Sequence, residues 1–133
     1  MSNRVLIIDD DEEMCMELKE ILAREGYEVR VAMDGRAGKD LMECQEHDVV
    51  ILDLKLPKLD GYGVLKAMKR TPRGPKIIVL SGRPLRNTAL IERGIQNEEE
   101  KALQMADVIL NKPVLIPVLL GKVKQYLTGG PGK

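Results

Sequence analysis

The sequence contains no phenylalanine or tryptophan, and its only aromatic residues are Tyr27, Tyr62 and Tyr126. Without large aromatic rings, the core must be built from Val, Ile, Leu, Met and Ala. Those side chains suit buried parallel strands that are covered by helices. Apolar residues make up 44% and charged residues 32% of the 133 positions. This composition and length predict one globular domain rather than a disordered segment.

Net charge is also absent, because 21 basic residues balance 21 acidic ones. Proteins that bind nucleic acid or a membrane surface rely on a basic field, so we expect neither partner. No apolar run is long enough to span a membrane, and the N-terminal residues do not resemble a signal peptide. The only cysteines, Cys15 and Cys44, lack CxxC spacing and fall in helical patterns, so we expect buried free thiols in a reducing cytoplasm. The single histidine, His47, is predicted to lie in an exposed loop.

Five short apolar runs alternate with segments of helical periodicity, and their shortness and Val and Ile content favour strands. The runs are Val5–Ile8, Tyr27–Ala32, Val49–Leu52, Ile77–Leu80 and Val108–Leu110. The helical stripes are Met14, Leu18, Ile21 and Leu22; Ala37, Leu41 and Cys44; Val64, Leu65 and Met68; and Val118, Leu119, Val123 and Tyr126. Gly26 stands where a glycine would end the first helix. Repeated strand–helix alternation predicts an α/β fold, a doubly wound parallel sheet with helices on both faces.

The connection after the fourth strand is longer than those before it. Asn97 followed by three glutamates predicts the start of a helix that runs to about Met105. This leaves Arg83–Gln96 as extra chain. At the other end of the repeat, the Gly- and Pro-rich residues 129–133 do not suit packing. We therefore expect one domain over residues 1–128, followed by a flexible tail or the start of a linker.

Polar side chains stand at the carboxyl ends of four of the five predicted strands. They are Asp9, Asp10 and Asp11 after the first strand, Asp53 after the third, Ser81 after the fourth and Lys112 after the fifth. The carboxyl ends of parallel strands meet at one edge of a sheet, where open α/β sheets bind their ligands. We interpret Asp11 as a helix cap and expect the other five side chains to form one site.

Carboxylates brought this close repel each other, at about 4 kcal/mol per pair for a separation of roughly 4 Å and an effective dielectric constant near 20. Either their pKa values rise or a cation lies among them. A cluster of oxygen ligands with few protein donors suits Mg²⁺ better than Ca²⁺. Together with the ammonium of Lys112, the hydroxyl of Ser81 and a spare carboxylate, such a site has the groups for phosphoryl transfer to that carboxylate.

The motifs IIDDD, DLKLPKLDG, VLSG and NKP, in that order, resemble the receiver domain of two-component response regulators, chemotaxis regulators included. The resemblance covers about Arg4 to Leu127. It implies the flavodoxin-like fold with five strands in the order 2-1-3-4-5 and five helices. It also implies a phosphoacceptor rather than an enzyme, which takes its phosphoryl group from a sensor histidine kinase or a histidine phosphotransfer protein. The resemblance leaves open whether an output domain is fused to the receiver outside this chain, and whether phosphorylation causes dimerisation.

The resemblance also assigns roles to individual residues. Asp53 would accept the phosphoryl group, Ser81 would be the switch hydroxyl and Lys112 the lysine of the site. Mg²⁺ would be held by the carboxylates of Asp9, Asp10 and Asp53 and by the backbone carbonyl of Lys55. The Lys112-Pro113 peptide bond would be cis.

The chain departs from the usual receiver pattern at three positions. Ile109 stands where receivers usually carry Tyr or Phe, Gly82 replaces Ala, and Val114 replaces Phe. A β-branched side chain such as Ile109 is stiff and has no ring to move. We therefore expect phosphorylation to be read out by the extra chain Arg83–Gln96 rather than by residue 109.

Two other interpretations fit part of the same pattern. In a phosphatase of the haloacid dehalogenase type, Asp9 would be the nucleophile, Asp11 the acid and base, and VLSG and Lys112 the second and third motifs. Such enzymes need acidic metal ligands after the lysine, and no Asp or Glu follows Lys112. A pseudo-receiver, in which the fold serves as a binding module without phosphorylation, is the second alternative.

Overall fold

The computed structural model describes residues 3–55, 61–67, 74–82 and 103–128. In chain order the elements are β1 (Arg4–Ile8), α1 (Glu12–Arg24), β2 (Glu28–Ala32), α2 (Gly35–Cys44), β3 (Val49–Asp53), α3 (Gly61–Ala67), β4 (Lys76–Ser81), β5 (Val108–Asn111) and α4 (Ile116–Leu127). All five predicted strands are confirmed. The helix expected from Asn97 begins outside the described residues, as do the extra chain Arg83–Gln96 and the tail 129–133.

The strands form one parallel sheet in the order β2-β1-β3-β4-β5. This order confirms the flavodoxin-like arrangement. Each connection between parallel strands must cross back over the sheet, so the helices cover both of its faces. Within β1, the side chains of Leu6 and Ile8 point to one face and those of Val5 and Ile7 to the other.

Two hydrophobic layers result, one on each face of the sheet. Helices α2 and α3 cover the layer that contains Leu6 and Ile8, and α1 and α4 cover the layer that contains Val5 and Ile7. All five residues of β3, the central strand, are buried. This is the pattern of a strand with helices on both sides, and it explains why the strands read as continuous apolar runs rather than alternating ones.

The ends of the first two helices follow the local sequence. Asp11 caps α1 by accepting a hydrogen bond from the Met14 amide, and Asp34 caps α2 in the same way from Ala37. Gly26 follows α1 with φ of 91°, in the left-handed region that favours glycine. The predicted cap and the predicted C-terminal glycine are therefore confirmed.

Two expectations about burial are wrong. His47 is only 8% exposed, because the neighbouring Asp48 pairs with Arg4 through both its backbone amide and its carboxylate and draws the loop against the sheet. Cys44 is exposed, since it is the last residue of α2 and lies past the covered part of the helix. On α4, Leu119, Val123 and Leu127 form the buried face, while Val118, a member of the predicted stripe, is 48% exposed.

No helix among the described residues is long and apolar enough to cross a membrane.

Candidate functional site

The site lies at the edge of the sheet where the strands end. Asp9 follows β1 directly, Asp53 is the last residue of β3, and Ser81 is the last residue of β4. All three are buried, Asp9 completely, while Asp10 is exposed. The sheet register places Asp53 beside Leu80 and Ser81 beside Asn111, the residue that precedes Lys112.

Three carboxylates converge at this edge. Asp9, Asp10 and Asp53 each offer an oxygen atom that lies within 4.8 Å of the other two. The three oxygen atoms lie close enough together to bind one cation at the same time. Asp11 is directed elsewhere, because its carboxylate accepts the Met14 amide at the start of α1.

Lys112 joins the two buried carboxylates. Its Nζ lies 3.2 Å from Oδ2 of Asp9 and 3.2 Å from Oδ2 of Asp53. Its backbone amide donates to the carbonyl oxygen of Ser81 at 2.7 Å, which fixes the start of the segment after β5. The Lys112-Pro113 peptide bond is cis, as the resemblance to receiver domains implied. One ammonium group, supplied by the residue after β5, thus contacts the ends of two neighbouring strands, β1 and β3.

Backbone amides hold both buried carboxylates in place. Asp9 Oδ1 accepts the Asp11 amide at 3.0 Å, and Asp53 Oδ1 accepts the Lys55 amide at 3.3 Å. The backbone after Asp53 is tied to the next strand, because the Leu54 amide donates to the Leu80 carbonyl oxygen at 3.1 Å. These bonds orient the carboxylates toward the shared space at the sheet edge.

The electrostatics of the site favour a cation. Burial raises the pKa of Asp9, and the charge of Asp53 raises it further, against the opposing effects of the Asp11 amide and Lys112. Burial alone would lower the pKa of Lys112, but the charges of Asp9 and Asp53 outweigh it and the net pKa is raised. Lys112 therefore stays protonated, and the cluster gains from further positive charge.

The donor set fits Mg²⁺. Asp9 Oδ2 is fully buried and accepts no hydrogen bond from the described residues, although Lys112 lies nearby. The one ammonium of Lys112 is shared between Asp9 and Asp53, so two buried carboxylates face a single positive charge, and a further cation would offset the remaining negative charge. The cluster offers only oxygen atoms, which a hard dication prefers, and Asp10 keeps it open to water.

One contact at the site was not predicted from the sequence. Cys15 is buried under β1, and its thiol lies 3.4 Å from the carbonyl oxygen of Asp9, to which it donates. Burial, together with the charges of Asp9 and Asp11, raises the pKa of Cys15 to about 12, so the thiol remains protonated. Its position in the first turn of α1, directly after the acidic residues, is the sequence signal that could have indicated this contact.

The fold and the site together define an α/β phosphoacceptor protein. Residues 5–123 match the family model of the response regulator receiver domain. Because this match covers most of the sequence, the chain belongs to the response regulator receiver domain family. It is a signalling phosphoacceptor rather than an enzyme, and the phosphatase interpretation is wrong.

Individual relatives agree with the family. The chain is 33% identical over 126 residues to the transcriptional regulatory protein CpxR of Escherichia coli strain K12. The matched region covers 94% of this chain and 49% of CpxR. It therefore spans about half the length of the curated relatives it matches. Among solved structures, a CheY-like receiver domain from Methanospirillum hungatei JF-1 superposes with a TM-score of 0.77 at 32% identity, over 97% of this chain and 96% of that one.

A further neighbour was solved in complex with ligands. The response regulator TrrA of Thermotoga maritima, solved in complex with Mg²⁺-BeF, has a TM-score of 0.71 and 27% identity, over 93% of this chain and 98% of TrrA.

Proposed function

We propose that Asp53 is the phosphorylated residue of this receiver domain. The observation that carries the proposal is the position of Lys112, whose Nζ lies 3.2 Å from both Asp53 and Asp9 at the carboxyl ends of β3 and β1. Asp53 is the member of the carboxylate cluster that lies on the central strand, next to Ser81 at the end of β4. An incoming phosphoryl group would meet a carboxylate, a hydroxyl and an ammonium together.

The donor is a phosphohistidine of a sensor histidine kinase or of a histidine phosphotransfer protein. An oxygen of Asp53 attacks phosphorus, the P–O bond forms as the P–N bond breaks, and the histidine nitrogen keeps the electron pair and later takes up a proton. The product is an aspartyl phosphate. Catalysis of such a loose transfer consists of positioning and charge stabilisation, which this chain supplies from four strand ends.

Each remaining site residue has a role in that transfer. Lys112 balances the charges of Asp9 and Asp53 and is close enough to reach a phosphoryl oxygen. Ser81 supplies a hydroxyl donor for another. Asp9, Asp10, Asp53 and the backbone carbonyl of Lys55 would hold Mg²⁺. When bound, the metal ion neutralises the charge that the phosphoryl oxygens bring.

We further propose that residues 1–128 act as one domain in the cytoplasm, with residues 129–133 as a tail or linker. The curated relatives are about twice as long as this chain, which agrees with an output domain elsewhere in the native protein. Readout through Arg83–Gln96, and a dimer that depends on phosphorylation, stay predictions.

The proposal is tested by incubating the protein with acetyl phosphate and Mg²⁺ and measuring its intact mass. One phosphoryl group should be added, and hydroxylamine should remove it, as expected of an acyl phosphate. Asp53→Asn should take up none. Asp40→Asn is the control, because Asp40 is an exposed carboxylate on α2 away from the site.

Two results would contradict the proposal. Hydroxylamine-resistant phosphate on Ser81 would move the modification to the hydroxyl. A folded protein that binds Mg²⁺ but takes up no phosphoryl group from acetyl phosphate or from phosphohistidine would be a pseudo-receiver.

A further inference from the structure

Gly61, the first residue of α3, lies directly against the backbone of the phosphoacceptor residue. A Cβ atom added to Gly61 would come within 2.5 Å of the Leu54 Cα and closer still to the Asp53 carbonyl oxygen. It would also lie 3.1 Å from the Asp53 carbonyl carbon. All three are backbone atoms, which cannot rotate away as the end of a side chain can. Only glycine permits this approach.

The backbone that Gly61 touches is held from both sides. The Gly61 amide donates to the Leu54 carbonyl oxygen at 2.9 Å, while the Leu54 amide donates to Leu80 in β4 at 3.1 Å. The peptide unit between Asp53 and Leu54 thus lies between α3 and the sheet. An added Cβ must displace either α3 or this peptide unit.

Displacement of that peptide unit would be transmitted to the site. Asp53 carries the carboxylate, and the next residue but one, Lys55, donates its amide to Asp53 Oδ1. The carbonyl group of Lys55 is also one of the proposed Mg²⁺ ligands. A shift of a few tenths of an ångström here changes both the carboxylate orientation and the metal ligand set.

We propose that Gly61 is a positioning residue for phosphotransfer: because it has no side chain, α3 can hold the Asp53–Lys55 backbone in the geometry that binds Mg²⁺ and presents the Asp53 carboxylate. The proposal rests on the proposed function of Asp53. Gly61 touches neither the metal ion nor the phosphoryl group and acts through the backbone.

The test is Gly61→Ala, with Mg²⁺ affinity measured by titration calorimetry on the folded protein. Perturbing the groups that orient metal ligands weakens metal binding roughly 10- to 100-fold, and we expect at least about 10-fold here. The amide resonances of Leu54 and Lys55 should shift, and phosphorylation by acetyl phosphate at saturating Mg²⁺ should be slower. Unchanged Mg²⁺ affinity and unchanged Leu54 and Lys55 resonances would overturn the proposal.

Gly26→Ala is the matched control. It also destabilises the fold, because Gly26 has φ of 91°, but a Cβ there meets nothing within 4 Å and lies at the opposite edge of the sheet. It should leave Mg²⁺ affinity unchanged. Equal loss of Mg²⁺ affinity in both variants would show a general effect of stability and refute a positioning role.

Two further arms keep the test decisive. If Gly61→Ala does not fold alone, it is combined with Gly121→Ala, which fills open space within α4 and favours the helix.

In the wild type, Mg²⁺ should shift the Gly61 amide resonance, because that amide donates to Leu54 beside the site. The absence of a shift would contradict the proposal. Wild-type protein that binds Mg²⁺ without taking up phosphate would refute the proposed function of Asp53. The comparison of Mg²⁺ affinity between the wild type and Gly61→Ala would still test the positioning role of Gly61.

Discussion

Asp9 is the residue at which function and stability are opposed. It is completely buried, and its Oδ2 accepts no hydrogen bond from the described residues. Because burial raises its pKa, the folded state favours the protonated acid more than the unfolded chain does. Stability linked to Asp9 is therefore present at low pH and is lost as pH rises through the folded-state pKa. At neutral pH, without a metal ion, the ionised carboxylate is a cost.

We predict that Asp9→Asn raises the free energy of unfolding by about 0.5–2 kcal/mol at pH 7 in EDTA, the range usual for single stabilising substitutions. The asparagine oxygen can still accept the Asp11 amide, and the repulsion from Asp53 is gone. Urea unfolding measures the change. Asp40→Asn, at an exposed position, should change stability little, and a destabilised Asp9→Asn would refute the prediction.

His47 is a second buried titratable residue, and it precedes β3, the strand whose other end carries Asp53. Neither of its ring nitrogens has a hydrogen-bond partner in the described parts of the chain. Burial lowers its pKa, the charges of Arg30 and Arg4 lower it further, and Asp48 partly opposes them. The folded protein therefore favours neutral imidazole. As pH falls below 6.5, the ordinary pKa of histidine, His47 becomes protonated in the unfolded chain but stays neutral in the folded protein.

We predict that the wild type loses stability between pH 6.5 and the lower folded-state pKa of His47, by up to about 1.4 kcal/mol per pH unit from this residue. His47→Gln, which does not titrate, should lose less over the same range. Urea unfolding of both proteins at several pH values isolates the contribution of the imidazole, since the carboxylates are common to both. Parallel pH dependences would show that His47 contributes nothing.

At the scale of the element, α1 begins within the site. The three consecutive aspartates have two different roles. Asp9 and Asp10 belong to the carboxylate cluster, whereas Asp11 caps the helix by accepting a hydrogen bond from the Met14 amide. The Asp11 amide at the same time donates to Asp9 Oδ1. The start of the helix thus orients a site carboxylate through the backbone, which a substitution of the Asp11 side chain leaves in place.

We predict that Asp11→Ala lowers the free energy of unfolding by about 1 kcal/mol, because the cap is lost, while Asp11→Asn stays near the wild type. Both variants should still be phosphorylated by acetyl phosphate. Asp34→Ala, which removes the equivalent cap from α2, is the control for stability loss away from the site. Loss of phosphorylation in Asp11→Asn would make Asp11 a reacting group, as in the phosphatase interpretation.

At the scale of the whole molecule, the site joins strands that come from distant parts of the sequence. Asp9 and Lys112 are contributed by β1 and by the segment after β5, with β3 and β4 between them in the sheet. A cation bound among the carboxylates would tie the ends of β1 and β3 together. Because such a site does not exist in the unfolded chain, metal binding must add to folding stability.

We predict that Mg²⁺ raises the free energy of unfolding by about 2.7 kcal/mol at a concentration 100 times its dissociation constant. Asp53→Asn should reduce this gain, and EDTA should reverse it in the wild type. KCl of equal ionic strength is the control for general screening. If Mg²⁺ stabilised Asp53→Asn as strongly as the wild type, the metal ion would be bound elsewhere.

The sequence by itself determined the elements and the edge of the sheet at which the site lies. Apolar runs and helical stripes report local periodicity, and the parallel arrangement places every strand end at one edge. The positions of Asp9, Asp53, Ser81 and Lys112 after their strands could therefore be read directly. The caps at Asp11 and Gly26 are local features as well, and they follow from neighbouring residues alone.

Only the tertiary structure decided the distances and the burial. That Lys112 lies 3.2 Å from two carboxylates depends on the register of three strands, which no local pattern encodes. The burial of His47 and the exposure of Cys44 depend on which parts of the fold pack against the loop before β3 and the end of α2. Local helical and loop patterns do not contain this information, so the sequence predicted the burial of both residues incorrectly. Gly61 belongs to a recognisable motif, yet its contact with the Asp53 backbone appears only when α3 lies against β3, because steric exclusion acts through space and not along the chain.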